Sequence, residues 1–493
     1  MEMLVGDIVR RNAAVVPDDI AASLGERTLS HRALDAMANR LVHGLRAQGI
    51  GHGDRVVTWS DTCLEVLPLF VACAKLGAVF APLNARYSAD EAAPVAALAR
   101  PALLVSDAQR AAASESVAKA ADVPRLAHLG ECDGPGLDLT ALASQADDSG
   151  WVEPALREED PQVLFFTSGS TGRPKGVVLS HRANYLRGFQ GVFRDVPERS
   201  VCMFPLFHMA GFTLSIAAWQ TRGEIALVES ADADTLLATV ERRRANRLYA
   251  IPAVWARILD HDPSRYDTSS LREADTGTSA VPIELVRALK ERFPDSATRI
   301  YYGSTEAGSG TTLPDADVLR KPGSVGPASP GVDLRVADDG EIVLRSKYLF
   351  DGYFDDPATT AEALRDGWFH TGDLGELDDE GYLQVVGRKK ELIRTGGESV
   401  APSEVEAVVR EHPGIAEVAI VGVPDPQWGE VVCAVVVRGS GPPPDLDALQ
   451  ALCRDRLASF KKPRRLVFVD ALPRTAATGQ VQRALLVEQI VSG

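Results

Sequence analysis

The chain has 493 residues, 45% of them hydrophobic and 24% charged, which is too long for one hydrophobic core and too ordinary in composition for a disordered or fibrous protein. Its formal charge of -16, from 52 basic and 68 acidic side chains, repels a phosphate backbone over most of the surface and argues against nucleic acid as a partner, while leaving room for a small phosphate ligand in a local pocket. No uncharged run reaches the roughly 18 residues that span a bilayer, the N-terminus lacks a continuous apolar signal region, and the six cysteines show no CxxC spacing, so a cytoplasmic chain with reduced thiols is expected.

In chain order, Ser30 reads as the N-cap of a helix whose Leu34, Met37, Leu41 and Leu45 share one face. DRVVTWS predicts a buried strand, LEVLPLFVACAKLGA a helix and VFAPLN a second strand. This alternation is expected to continue to about residue 350, an α/β pattern with largely parallel sheets. After residue 390 the apolar strands EVAIVGVPD and VVCAVVVRG, set between helical runs, predict a small α+β domain. Its boundary is placed in the charged segment GRKKEL at 387–392, and SGPPPD at 440–445 reads as an internal surface turn.

The densest chemical signal is LFFTSGSTGRPKGVVLSH at 164–181. An apolar strand runs into Thr167, Ser168, Gly169, Ser170, Thr171 and Gly172, followed by Lys175. Glycines let backbone N–H groups turn toward phosphate oxygens, hydroxyls add donors, and a lysine adds charge. The spacing is not that of a GxxxxGK[ST] loop, and a generic Gly/Ser turn is the competing reading. Further on stand FPLFHMAG at 204–211, TGTSA at 276–280, YYGSTEAG at 301–308, WFHTGDLGELDDEGYL at 368–383 and VGRKKELIRTGGESVAPSEVE at 386–406.

In this order the segments resemble the adenylate-forming (AMP-binding) superfamily, in its acyl- and aryl-CoA synthetase branch, over nearly the whole chain. The resemblance implies an α/β fold: a large N-terminal domain, 1–388, of largely parallel sheets with helices, plus a small mobile α+β lid domain, 389–493. It implies that the loop at 167–172 and Lys175 hold ATP phosphates, that Thr278, Ser279 and Ala280 line the adenine pocket, and that Tyr302 stacks on adenine. Thr305 would bond the α-phosphate and Glu306 would hold Mg2+, which takes hard oxygen ligands. Asp373 would accept both ribose hydroxyls, as a carboxylate has the lone pairs to do. Arg388 would reach the ribose or α-phosphate, Lys390 would be the hinge of the lid, and Gly396 and Gly397 would line the tunnel for coenzyme A. His208 would lie beside the substrate carboxylate.

The activity implied is ATP-dependent activation of a fatty or aromatic carboxylic acid through an acyl-adenylate, then thioester formation with CoA. A different acceptor, or nitrite as the activated acid in diazotisation of an arylamine, is the alternative within enzymes. Partners are therefore a small acid and CoA, with a homodimer as the default assembly. TGTSA is more polar than the pattern's adenine segment, the Pro-to-Gly segment near the C-terminus is one residue longer than expected, and one site residue differs. In ALPRTAATGQVQRALL at 471–486, Gln480 stands where the superfamily carries a lysine that bridges carboxylate and α-phosphate. Three explanations remain open: an engineered Lys-to-Gln variant, another cation in its place with Arg483 nearest, or a member specialised for an unusual acid. A slow or inactive nucleotide-binding homologue is the non-enzymatic alternative.

Overall fold

Ser30 behaves as its position predicts: its hydroxyl accepts the Ala33 N–H and starts the helix His31–Ala47. The strands Arg55–Trp59 and Val79–Pro82 flank the helix Val66–Leu76, each within the segment expected. That helix is buried along its whole length, which is why its sequence shows no polar face. These features belong to a computed structural model that describes every residue except 1, 131, 133, 169–173, 190–193, 455, 476–478 and 493, and the side chains of 168, 263 and 492.

Two compact units divide the chain by its contacts: Met1–Pro322 with Ser329–Val332 and Arg345–Phe369, and Gly323–Ala328 with Asp333–Leu344 and His370–Gly493. Residues 370–388 thus group with the second unit, whereas the sequence division at 388/389 leaves them with the first. The reason is local. Strand Trp368–Leu377 pairs with Leu383–Arg388, and both His370 and Lys389 bind Glu341. A hinge is a pivot of motion, not a border of contacts, and Lys390 is retained below as a proposed pivot.

The first unit holds two eight-stranded sheets. In one, Arg199–Cys202, Arg247–Tyr249, Glu273–Gly277 and Ile300–Ser304 lie side by side and parallel. Their carboxyl ends therefore emerge along one edge, where ligands of open α/β sheets bind. The strand-helix alternation expected to reach residue 350 stops at Ser304: only residues 305–307 separate Ile300–Ser304 from Gly308–Leu313, too few for a crossover, so these strands pair antiparallel. In the other sheet, Pro161–Ser168 and Pro174–Ser180 form an antiparallel hairpin.

In the second unit the long strands Ile415–Asp425 and Gly429–Arg438 pair antiparallel, and Arg465–Val469 joins the latter in parallel. Their alternate residues feed two cores. Val418, Ile420, Val432, Ala434 and Val436 pack with Val405, Val409 and Leu449. Ala419, Val421, Val423, Cys433 and Val435 pack with Leu472 and Leu486. Burial on both faces explains strands that are nearly all apolar. The SGPPPD segment is the surface connection from Gly429–Arg438 to the helix Leu446–Cys453. All six cysteines are free thiols, and no described helix is long and apolar enough to cross a membrane.

Candidate active site

His208, Thr278, Ser279, Ala280, Tyr302, Thr305 and Glu306 lie at or just beyond the carboxyl ends of the four parallel strands of the first unit. His208, after Arg199–Cys202, is the N-cap of the helix Met209–Gln220. Phe212 anchors that helix against Phe70 (ring centroids 4.4 Å apart) and Phe80 (5.3 Å). The Ala210 N–H donates to His208 Nδ1 at 3.2 Å, which places the proton on Nε2. Loss of water around the ring pushes its pKa down to about 4. At neutral pH, then, His208 is an uncharged imidazole with one outward N–H donor, suited to a carboxylate oxygen.

An aromatic ladder runs from this histidine along the strand ends. His208 stacks on Phe204 (5.6 Å), Phe204 meets Tyr249 edge-on (5.5 Å), and Tyr249 meets Tyr301 (5.6 Å). Gly277 fits between them because a Cβ there would lie 2.3 Å from the Tyr301 carbonyl oxygen and 2.9 Å from the Tyr249 hydroxyl. The next residue, Thr278, holds φ at 67°, a region that β-branched residues avoid and that concentrates at ligand sites. Ser279 and Ala280 are exposed beside it. The register of Ile300–Ser304 against Gly308–Leu313 shifts between Tyr302 and Gly303, an irregularity that re-aims neighbouring side chains.

Below the ladder lies a charge network with no sequence signature. Arg247 and Arg299 each bond Asp275, at 2.9 Å, and Arg247 bonds Glu198 at 3.1 Å. Asp275 is fully buried, so its charge is tolerable only because both guanidinium groups meet it.

Thr305 and Glu306 are held through their backbone. Arg187 is buried and donates to the carbonyl oxygens of Thr305 (2.9 Å), Glu306 (2.9 Å) and Tyr348 (3.0 Å); burial pushes its pKa down to about 10. Sequence reasoning missed this residue, since a single arginine in a helix gives no signal of carbonyls more than 100 positions away. The Glu306 side chain accepts from the Tyr353 hydroxyl at 3.0 Å. Lys175 lies on Pro174–Ser180, directly across the hairpin from Thr167, with its Nζ 4.7 Å from the centre of the Tyr353 ring. Ser168 ends the first hairpin strand, while Gly169, Ser170, Thr171 and Gly172 lie outside the described residues. The strands on either side of that segment, Pro161–Ser168 and Pro174–Ser180, pair antiparallel.

The second unit contains the rest. Asp373 and Arg388 face each other across paired strands, with Asp373 Oδ1 3.1 Å from Arg388 Nε. Glu341 braces this corner, accepting from the Gly372 N–H at 3.0 Å and bonding His370 Nδ1 and Lys389 Nζ, each at 3.1 Å. Lys390 is exposed in the short helical turn Lys389–Glu391. Gly396 and Gly397 are the two central residues of a hairpin, with φ of 61° and 86°, the type I′ geometry that asks for glycine regardless of any ligand.

Gln480 is exposed, and it and Gly479 are tied to Thr475: Thr475 N–H donates to Gln480 O (2.8 Å), Gln480 N–H to the Thr475 hydroxyl (3.1 Å) and Gly479 N–H to Thr475 O (2.9 Å). Arg483, the nearest cation considered as a stand-in for the lysine, already has carboxylate partners in this structure. Its guanidinium is committed to Glu391 and Glu406, each at 2.7 Å. Arg474 is likewise held by Gly479 O and Glu417.

Among the described residues no group of three or more His, Cys, Asp or Glu could cage a metal ion. Glu306, a half-buried carboxylate linked through Tyr353 to the side of the site that holds Lys175, fits Mg2+ that arrives with a polyphosphate and keeps few protein ligands.

The AMP-binding enzyme family profile matches residues 9–354, and that of the AMP-binding enzyme C-terminal domain matches 404–478. Feruloyl-CoA synthase of Amycolatopsis sp. is 36% identical over 96% of this chain and 97% of its own. Indoleacetate–CoA ligase of Aromatoleum aromaticum is 34% identical over 98% and 97%. Among solved structures, ATP-bound MatB from Rhodopseudomonas palustris superposes with a TM-score of 0.89 at 31% identity, covering 99% of both chains.

Proposed function

The chain belongs to the AMP-binding enzyme family, and from that premise we propose that it is an AMP-forming ligase joining an aromatic or fatty carboxylic acid to coenzyme A. ATP, a small carboxylic acid and CoA are its substrates. A carboxylate does not acylate thiols because its leaving group would be oxide, so the acid must first be activated. One carboxylate oxygen attacks the α-phosphorus of ATP, the bond to the bridging oxygen breaks and pyrophosphate leaves. The CoA thiol, losing its proton, then attacks the acyl carbon, and AMP leaves with the oxygen that joined the two. Both steps are governed by positioning and charge stabilisation.

In this reading the neutral His208 donates Nε2–H to the substrate carboxylate, keeping the oxygen nucleophilic where a charged imidazolium would quench it. Lys175 and the hairpin loop take the phosphates, Thr305 bonds the α-phosphate, and Tyr302 with Thr278, Ser279 and Ala280 receives the adenine. Asp373 and Arg388 take the ribose, Lys390 is the pivot of the lid, and Gly396 and Gly397 meet the pantetheine arm. Glu306 would hold Mg2+, which supplies charge neutralisation along the phosphates. The carrying observation is the ladder His208–Phe204–Tyr249–Tyr301, which joins a carboxylate donor to the nucleotide segment through flat aromatic surface and favours an aromatic acid over a fatty one. A cytosolic homodimer completes the reading.

Pyrophosphate release is measured with ferulate, indoleacetate and dodecanoate, with and without CoA, and thioester is read by mass spectrometry. Aromatic acids are expected to give both products. Pyrophosphate without thioester assigns another acceptor, and ATP binding with no pyrophosphate from any acid refutes the ligase reading.

A further inference from the structure

Tyr353 stands between the two oppositely charged groups of the phosphate site, and no motif led to it. Its two-residue strand, Gly352–Tyr353, pairs antiparallel with Pro174–Ser180, setting Tyr353 opposite Val177. Lys175, two residues before Val177, emerges on the same face, and its ammonium lies 4.7 Å from the ring centre, within cation–π range. On the other side the Phe350 N–H donates to the Glu306 carbonyl at 2.8 Å, and the Tyr353 hydroxyl donates to Glu306 Oε1 at 3.0 Å. Phe350 packs edge-on against the ring at 4.9 Å. A phenol keeps its proton at neutral pH, so the hydroxyl is a donor to the carboxylate.

Among the described residues no ion pair joins Lys175 to Glu306. A direct pair would occupy the lysine that phosphates need and the carboxylate that a metal ion needs. The tyrosine instead holds each by a contact that leaves its charge in place. Its ring takes one face of the ammonium, and its hydroxyl takes one carboxylate oxygen and leaves the other to face the ligand.

We propose that Tyr353 is a positioning residue that orients Glu306 for the metal ion and separates it from Lys175. The proposal rests on the reading that Glu306 holds Mg2+ and Lys175 holds phosphate. Mn2+ binding to the ATP complex is followed by electron paramagnetic resonance in the wild type, Tyr353→Phe and Glu306→Gln, with circular dichroism as the folding control. Tyr353→Phe keeps the ring and loses the hydroxyl. Its half-saturating Mn2+ concentration is expected to rise about 10- to 100-fold, the range for groups that orient a metal ligand. The Mg2+ needed for half-maximal pyrophosphate release rises by the same factor, and the rate at saturating Mg2+ is retained.

Tyr353→Leu removes the ring as well. Its ATP affinity in EDTA is expected to fall about fivefold, as Lys175 closes on Glu306 in a solvent-screened pair, and adding Glu306→Gln restores it. Wild-type metal curves for Tyr353→Phe overturn the proposal. So does equal loss of ATP affinity in Tyr353→Leu with and without Glu306→Gln. Undiminished Mn2+ binding by Glu306→Gln identifies the metal assignment itself as the failure.

Discussion

Gln480→Lys tests the departure from the superfamily pattern that bears most directly on the chemistry. The substitution leaves the ties to Thr475 intact, because these bonds, to Thr475 N and Oγ1, come from the main chain of residue 480. The side chain is exposed, so a lysine meets no steric barrier. Among the described arginines nearest in sequence, Arg474 is tied to Gly479 and Glu417, and Arg483 to Glu391 and Glu406. A glutamine amide still donates a hydrogen bond, so the gain from lysine is the electrostatic part of one preorganised contact, about 100- to 1000-fold in rate, or roughly 3–4 kcal/mol. Single-turnover pyrophosphate release at saturating ATP and acid, without CoA, isolates that step. Thioester formation from preformed adenylate is expected to stay within about twofold, since the contact belongs to the first half-reaction. A Gln480→Lys rate equal to or below wild type would refute the reasoning and make glutamine the working residue of a rebuilt site.

Asp373→Ala is expected to weaken ATP binding about tenfold or more while leaving the melting temperature unchanged, since its partner Arg388 is 57% exposed and such pairs contribute at most about 1 kcal/mol to stability. Titration calorimetry showing unaltered affinity overturns the ribose assignment. His181, fully buried with Nδ1 accepting the Val5 N–H, is pushed down to about 3 by burial. Its folded pKa lies below the unfolded value near 6.5, so its contribution is fully present above that value and is lost as pH falls toward 3, about 2 kcal/mol by pH 5. Urea melts should show this slope, and His181→Asn, which can still accept from Val5, should flatten it; an unchanged slope counts against the argument. Arg187→Lys keeps a charge but cannot reach three carbonyls. A loss of about 2–4 kcal/mol in urea melts and a fall in the pyrophosphate rate are expected, and wild-type behaviour in both would remove Arg187 as the support of Thr305 and Glu306.

What sequence reveals here is local order. Ser30, the Val66–Leu76 helix and the two apolar strands of the second unit are legible because capping and periodicity are properties of neighbours in the chain. The motif series is legible because ligand-facing segments keep their residue types together. Arg187, Glu341, Tyr353 and the Asp275 network are not, since each is an ordinary residue whose partners come from distant parts of the chain. The end of the alternation at Ser304 was missed for a related reason: a three-residue connection looks like any loop until the strand after it is seen to turn back. Gly396 and Gly397 are legible as a turn in their own right, since the hairpin they form asks for glycine at both positions.

With the pivot proposed at Lys390, the ion pair between Arg483 and Glu391 takes on a mechanical meaning. Glu391 is the neighbour of Lys390, and Arg483 opens the last helix, three residues beyond Gln480. A crank is thereby bolted to its shaft. Under a pivot at Lys390, the loop that carries Gln480 turns in step with the backbone beside the pivot, and its arrival and withdrawal are timed by one angle. Cutting that bolt with Glu391→Gln would let the two motions slip, giving an enzyme whose half-reactions lose their order before they lose their chemistry.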